Sequence, residues 1–438
     1  MSTPERAATS AADRRPSTVT TRPARLPLVV YVLALGTFLM LTTEFVVAGI
    51  LPEVATDLGI SLGRAGLLIT VFAAGMIVGA PLMAMATLRL AKRPTLILAL
   101  VVFVVGHVVV ALSDHFATLL AARFVTAMAT GAFWAVAAVV ASRGAGPGQG
   151  AKALGVVTAG GALATVLGIP AGALVAQLVG WRGTFWALAL AAAIAVVCVA
   201  KLVPRDAVQE HAPSVRSELS ALRSGRLWLA LAACAATTGG VLAAYSYISP
   251  ILTDRDGLSA GLVPLVLTVF GIGSFIGTLV AGRLGDAYPH RVTVVTPAVT
   301  IVLLAVLTAV QGSTWTTVAL VALLGLFGLS ANGVLIHLAV THAGRAATLG
   351  SALSVSAFNT GTAVGTAAAG AALGTSLGLT GPPAVGVVII TLTLVPVVAL
   401  AVFSTRRASG VSHTPAERSN SSLQDVGDAS SAEQHARA

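Results

Sequence analysis

Residues 52–93 read PEVATDLGISLGRAGLLITVFAAGMIVGAPLMAMATLRLAKR, and residues 250–291 read PILTDRDGLSAGLVPLVLTVFGIGSFIGTLVAGRLGDAYPHR. The two stretches align without a gap at a spacing of 198 residues, and eleven of the forty-two positions are identical. Among them are Pro52/Pro250, Gly59/Gly257, Ser61/Ser259, Gly63/Gly261, Gly75/Gly273, Gly79/Gly277, Arg93/Arg291 and the run Thr70-Val71-Phe72 against Thr268-Val269-Phe270. Two apolar helices can match by composition alone, but the matched loop residues are not apolar, so the pattern reads as a duplication.

Outward from this repeat, the chain holds twelve apolar runs of the roughly 20 residues that a bilayer core requires. They cover approximately 27–51, 66–86, 94–113, 116–142, 151–179, 183–203, 227–251, 262–281, 291–311, 315–340, 347–374 and 383–405. With 56% hydrophobic and 10% charged residues and a mean hydropathy of +0.92, the chain is too apolar for a water-soluble globule. Expected is an all-α membrane protein of twelve transmembrane helices in two pseudo-symmetric six-helix bundles, an arrangement that lets two halves rock about a site near the midplane.

The net charge of +10 does not indicate a nucleic-acid partner, because the basic residues stand singly between apolar runs and form no stripe with aromatics. They do set orientation. With the N-terminus inside, the tails and the even-to-odd loops hold 22 of the 26 Lys and Arg residues; Arg64, Arg182 and Arg255 fall outside and Arg123 falls within a helix. Both termini are therefore expected in the cytoplasm, with the chain in a multi-pass arrangement in the inner (cytoplasmic) membrane. The expected divisions are a disordered tail 1–25, a bundle 26–203, a linker 204–226, a second bundle 227–405 and a disordered tail 406–438. In the linker Val215, Leu219 and Leu222 recur at helical spacing, as in a short amphipathic helix lying on the membrane face. Cys198 and Cys234 lie in apolar runs, where a thiol acts as a small hydrophobe.

Chemistry has few places to reside. Glu44 is the acid deep in a predicted helix and Arg123 the base, and each costs about 2.5–3.5 kcal/mol to insert unpaired at mid-helix. Glu44 stands seven residues before the outer end of the first run and Arg123 seven residues after the outer start of the fourth, so both lie on the order of 10 Å below the outer surface. The expectation is a buried pair, or a pair sharing one cavity, in which Glu44 carries a coupling proton and Arg123 favours its ionised form; a static ion pair is the blander alternative. His107 in the third run lies near the same level and suits a proton relay, although a packed neutral ring is as good a reading.

Four-residue stripes of small residues, Gly160, Ala164, Gly168 and Gly172 in the fifth run and Ala357, Gly361, Gly365 and Ala369 in the eleventh, are expected to form sliding surfaces between the halves or ordinary tight seams. Candidate cavity residues are Phe45, Phe133, Trp134, Tyr245, Tyr247 and Asn359, an apolar set with few polar groups that suits an uncharged or amphipathic ligand. No GxxxxGK[ST] or HExxH motif occurs, and the GxSxG spacings, 59–63, 257–261 and 374–378, fall in turns between apolar helical runs and not at a strand-to-helix nucleophile elbow, so neither an ATP-driven pump nor a membrane hydrolase has a motif to stand on. The protein reads as no enzyme, with no metal and no cofactor, driven by a proton gradient.

These residues also carry a resemblance to the twelve-helix drug–proton antiporters of the major facilitator superfamily, over nearly the whole chain. Thr43-Glu44-Phe45 through Leu51-Pro52 is similar to that group's acidic first-helix motif, and Arg123 with Gly131 resembles its fourth-helix arginine motif, implicated in proton coupling. Gly168, Pro170 and Gly172, followed by Trp181-Arg182 and Phe185, resemble the fifth-helix antiporter motif, except that Ile169 separates a glycine and a proline that are normally adjacent. The loop pattern of Gly, three residues, Asp and then basic residues is degenerate after the second helix, where Ala84 and Leu88 replace Gly and Asp while Arg89, Lys92 and Arg93 remain. Its copy after the eighth helix keeps Gly282 and Asp286 and ends in His290-Arg291. The resemblance implies that the conformational lock supplied by the first Asp is missing or has moved to Asp286.

The runs 79–84, 247–252 and 357–361, with His107, Asp114 and Arg123, are most similar to the bacterial chloramphenicol exporters and arabinose-type efflux permeases. That likeness implies a monomer in the lipid bilayer whose partners are protons and a small-molecule substrate, exporting chloramphenicol or a similar amphipathic antibiotic. An exporter of sugars or other metabolites is the alternative, and it predicts more amide and hydroxyl groups in the second half of the cavity than the sequence displays. A channel or non-transporting receptor fits the duplication poorly.

Overall fold

A computed structural model of the chain describes residues 26–86, 90–145, 149–204, 218–344 and 346–411. Both expected tails lie largely outside the described residues, as do Arg89, Val215 and most of the linker. The described chain is helical throughout its spans. Twelve long helices follow in order: α1 Leu28–Gly49, α2 Leu62–Ala86, α3 Lys92–Leu112, α4 Phe116–Gly144, α5 Lys152–Val179, α6 Trp181–Leu202, α7 Gly225–Tyr245, α8 Val263–Ala287, α9 Pro289–Ala309, α10 Thr314–Ala343, α11 Ala347–Ala372 and α12 Gly381–Val411. Eleven of these are long and apolar enough to cross a bilayer. The twelfth, α11, has 26 residues, most of them Ala, Gly, Ser or Thr, so it is long enough but too weakly apolar to qualify by composition. Its packing between α2 and α7 relieves it of facing lipid on those sides.

The duplicated residues do matching work in both halves. Gly59 and Gly257 both adopt positive φ, +61° and +71°, the left-handed turn that leads into the second helix of each half and that favours a residue without Cβ. Gly75 and Gly273 let α2 and α8 press against α4 and α10: a Cβ would stand 2.6 Å from the Phe124 carbonyl oxygen in one case and 2.7 Å from that of Ala322 in the other. Gly79 and Gly277 repeat the contact one turn on, against Met128 and Leu326. Small residues at such crossings replace the hydrophobic drive that lipid does not supply.

The small-residue stripes fall elsewhere than at the boundary between halves. Gly160, Gly168 and Gly172 of α5 press on Ala34, Thr42 and Val46 of α1, and Gly361 and Gly365 of α11 press on Ala235 and Gly239 of α7. Both stripes are seams inside a half and correspond by the repeat, which corrects the sliding-surface expectation. The halves meet where α2 runs along α11 and α5 along α8. Gly63 is packed on Gly370 there, and Gly271 on the Thr165 carbonyl; hydrogen bonds run from Gln177 Nε2 to the Ala260 carbonyl (2.6 Å) and from Ser356 Oγ to that of Ile77 (2.9 Å). These contacts extend from the side opposite the chain ends to about mid-depth. Beyond them, toward the side where α1 begins, Val78, Leu82 and Leu279 are exposed.

Helix α5 explains the residue inserted before Pro170. Its turn Ala164–Gly168 is a π-helix, and the Ile169 amide reaches back five residues to the Ala164 carbonyl. One extra residue is absorbed by one wide turn. The bulge also pushes Thr165 and Val166 against Gly271 of the other half.

Of the linker, Ser220–Arg223 forms a 3-10 turn, with Leu219 and Leu222 exposed. The preceding Glu218 is buried and accepts the Leu349 amide at 2.9 Å, capping the first turn of α11.

Candidate functional site

Arg123 lies on α4 facing α1 and α2, with only 1% of its surface exposed. Its guanidinium lies 4.1 Å over the Phe72 ring. Nη1 donates to both the carbonyl and the hydroxyl of Thr43, each at 3.0 Å, and Nε makes a longer contact of 3.4 Å with the Leu68 carbonyl. Nη2 is buried without an acceptor. A cation so enclosed needs compensation, because leaving one partner of a buried charge unmatched is strongly unfavourable.

Glu44 does not supply that compensation through a direct contact, which corrects the expected pair. Among the described residues no ion pair joins Glu44 to Arg123 within 4.0 Å. Successive residues of an α-helix are about 100° apart, so a helix that turns Thr43 toward α4 carries Glu44 away from it. Glu44 as a residue is half-buried, like Phe45 beside it in sequence, and Arg123 is the charged group whose field reaches its carboxylate. Nine residues further, Glu53 has a buried, unpartnered carboxylate oxygen, and burial pushes its carboxyl above the usual range.

His107 of α3 joins the same network. Its Nδ1 stands 2.7 Å from the Phe103 carbonyl oxygen, which can only accept, so Nδ1 carries the hydrogen. In the neutral ring Nε2 is then bare and accepts from the Thr43 hydroxyl at 2.7 Å. The chain of donors runs from Arg123 to Thr43 to His107 to Phe103. His107 is also stacked on Phe103, with ring centroids 3.9 Å apart. Thr43 is therefore the hub of the network although nothing in the sequence marks it, since a threonine in an apolar helix usually satisfies its hydroxyl locally.

The motif after α5 reaches the loops on the side opposite the chain ends. Arg182 donates to Asp57 and, at 2.6 Å, to Asp114, and the Trp181 indole donates to Asp57 at 3.1 Å. The Arg182 guanidinium and the indole N–H hold the Asp57 carboxyl below its usual range.

The expected cavity residues divide. Phe45 and Trp134 are half-buried. Phe133 is fully buried against Gly36, a packing residue and not a cavity wall. Tyr247 is likewise enclosed: its hydroxyl donates to the Thr366 carbonyl at 3.1 Å and fills the space that a Cβ on Gly66 or Gly370 would need, so it wedges α7 between α2 and α11. Tyr245 is stacked on Phe270 at 4.2 Å with an unpartnered hydroxyl. Asn359 donates to the Val355 carbonyl at 3.0 Å and leaves its Oδ1 free. Thr237, Asn332 and Thr393 also carry buried polar atoms without partners, and Asn332 contacts Thr238 at 3.5 Å. Among the described residues the second half thus buries several amide and hydroxyl atoms that no other protein group satisfies.

Gly168 and Gly172 belong to the α1–α5 seam and Pro170 follows the π turn. Arg93 donates to the Ala200 carbonyl at the end of α6. Gly282 and Asp286 are exposed, and among the described residues no hydrogen bond or ion pair holds Asp286, so no lock is engaged there in this conformation.

Comparison with known proteins gives the family by sequence and the same fold by structure. Residues 33–266 and 245–433 match the sequence model of the Major Facilitator Superfamily. A chloramphenicol resistance protein of Streptomyces lividans is 35% identical over 82% of this chain and 92% of its own length. The putative transporter AraJ of Escherichia coli strain K12 is 32% identical over 77% of this chain and 86% of its own. Among solved structures, a bacterial homologue of the human lysosomal transporter Spinster, inward-facing and unoccupied, aligns with a TM-score of 0.68 at 16% identity, covering 86% of this chain and 96% of that one. FucP in its outward conformation aligns with a TM-score of 0.59 at 15% identity, covering 85% and 99%.

Proposed function

The chain belongs to the major facilitator superfamily, and we propose that it is a proton-coupled exporter of chloramphenicol or a similar small amphipathic antibiotic. Membership makes it an integral membrane transporter of small molecules. The finer reading is supported by the Streptomyces lividans relative and rests on one observation: a fully buried Arg123 with an unpartnered Nη2, held on Thr43 one residue from a half-buried acid.

In this reading the ionised Glu44 balances Arg123 through the field inside the first half. A proton arriving at Glu44 removes that balance, and the buried cation then favours a rearrangement of α1 against α4. His107 and Thr43 keep Arg123 on the α1 backbone meanwhile. The halves, joined on the side opposite the chain ends, part there when the cycle turns. Drug leaves as protons return; an uncharged drug needs no ionic partner in its pocket.

The test is drug tolerance of a sensitive host producing the chain, with and without an uncoupler, together with uptake into inverted vesicles. Tolerance that an uncoupler abolishes is expected, and Glu44→Gln should abolish proton-driven, uphill export while leaving expression intact. Tolerance unaffected by the uncoupler would sink the coupling. A second reading, export of sugars or other metabolites, is favoured by the unpartnered hydroxyls of Thr237 and Thr393 and the unpartnered Oδ1 atoms of Asn332 and Asn359, which are suited to ligand hydroxyls. Saturable vesicle uptake of a sugar without uptake of chloramphenicol would select it.

A further inference from the structure

On the outer flank of the second half, α8, α9 and α10 enclose a crevice of about 530 Å³. Ile276, Val280, Leu284, Val295 and Leu326 are among its walls. Its two aliphatic hydroxyls are already used: Thr296 donates to the Val292 carbonyl and Ser330 to that of Phe327, each at 2.9 Å. The interior therefore offers a ligand apolar surface, while Tyr288 and Arg291 stand at one end.

From Ile276 to Tyr288 the crevice follows α8 for twelve residues, about 18 Å at 1.5 Å per residue. One leaflet of a bilayer core about 30 Å thick is of similar depth. The apolar slot thus has the length of an acyl chain, and its cation lies at headgroup level on the side where α8 ends and α9 begins.

Arg291 is the repeat partner of Arg93, and the two are used differently. Arg93 is engaged by the Ala200 carbonyl. Arg291 lies 4.9 Å over the Tyr288 ring, and among the described residues no hydrogen bond or ion pair occupies its guanidinium. Beside it the half-buried His290 has a buried, unpartnered Nδ1. Arg283 and Asp286, both exposed, are the other charges nearby in sequence, which leaves the mouth net positive.

We propose that this crevice is a binding site for an anionic phospholipid, with one acyl chain between α8, α9 and α10 and the phosphate on Arg291. A guanidinium fork matches two phosphate oxygens, and basic pockets between helices on the cytoplasmic side select anionic headgroups. The site lies away from the α2–α11 and α5–α8 boundary and is independent of the transported substrate.

The test is native mass spectrometry of the purified full chain titrated with phosphatidylglycerol or with phosphatidylcholine of identical chains. The wild type should retain phosphatidylglycerol preferentially. Arg291→Gln should lower that preference about fivefold, the worth of one interfacial cation, and Arg291→Lys should keep most of it. Val295→Trp, which fills the slot from its exposed side, should lower retention of both lipids. Both positions are exposed, so the variants should unfold at the wild-type temperature. An unchanged preference in Arg291→Gln, or full lipid retention in Val295→Trp, would overturn the proposal.

Discussion

The two halves share a scaffold and differ in what they enclose. In the first half Phe72 lies beneath the Arg123 guanidinium; in the second its repeat partner Phe270 lies beneath the neutral phenol of Tyr245. The glycines that bring α2 onto α4 and α8 onto α10 are retained in both. A duplicated frame can hold its packing residues while its interior diverges, because a backbone crossing fixes residue size and leaves the chemistry of the enclosed side chains free. Charge in the membrane core has been gathered on one side of the repeat, and unpartnered amides and hydroxyls on the other.

The largest effect expected from this comparison is at its charged end. Arg123→Leu should abolish proton-driven export in vesicles while leaving thermal unfolding unchanged or raised, since it removes a buried cation without an ion partner. Tyr245→Phe should leave proton dependence intact and alter only substrate affinity. If Tyr245→Phe also uncouples transport, the division between halves fails. The shared frame should break symmetrically: Gly75→Ala and Gly273→Ala each place a methyl group against a backbone carbonyl and should each cost about 1–3 kcal/mol in denaturant unfolding.

Smaller effects are expected within each half. Tyr247→Phe removes one buried hydrogen bond to Thr366, about 1 kcal/mol, and should increase the labelling of a cysteine introduced at Thr366 by a thiol reagent that cannot cross the membrane. The smallest change concerns Asp57, whose carboxyl Arg182 and Trp181 hold below its ordinary range. A depressed folded value means the contribution is present at neutral pH and fades as pH falls through and below the ordinary carboxylate range near 4. Asp57 and Arg182 are partly exposed, so Asp57→Asn should lower neutral-pH stability by no more than about 1 kcal/mol and flatten the acid limb of a stability profile.

Most of the architecture was legible in the apolar runs, because a bilayer imposes length and composition on every span. The misjudged ends show where that logic stops. The eighth run was read as ending at 281, yet α8 continues to Ala287 because Arg283 and Asp286 are tolerated in a helix once it leaves the lipid core. The seventh run was carried to 251, while α7 stops at Tyr245 and the chain turns before Ile248; apolarity continues there without the helix.

The site was legible in part. Glu44, His107 and Arg123 stood out as ionisable groups at one depth, but depth says nothing of azimuth, and a rotation of one residue put Thr43 in the place expected of Glu44. Tyr247 and Phe133 were read as cavity residues because aromatic type alone does not distinguish a wall from a wedge.

The account depends most on the first-half charges acting as the coupling device. Proteoliposomes loaded with a pH-sensitive dye would report proton movement when chloramphenicol is added. The wild type should give a drug-induced proton flux, and Glu44→Gln should give none while still exchanging drug across the membrane. An equal flux from Glu44→Gln would contradict the account.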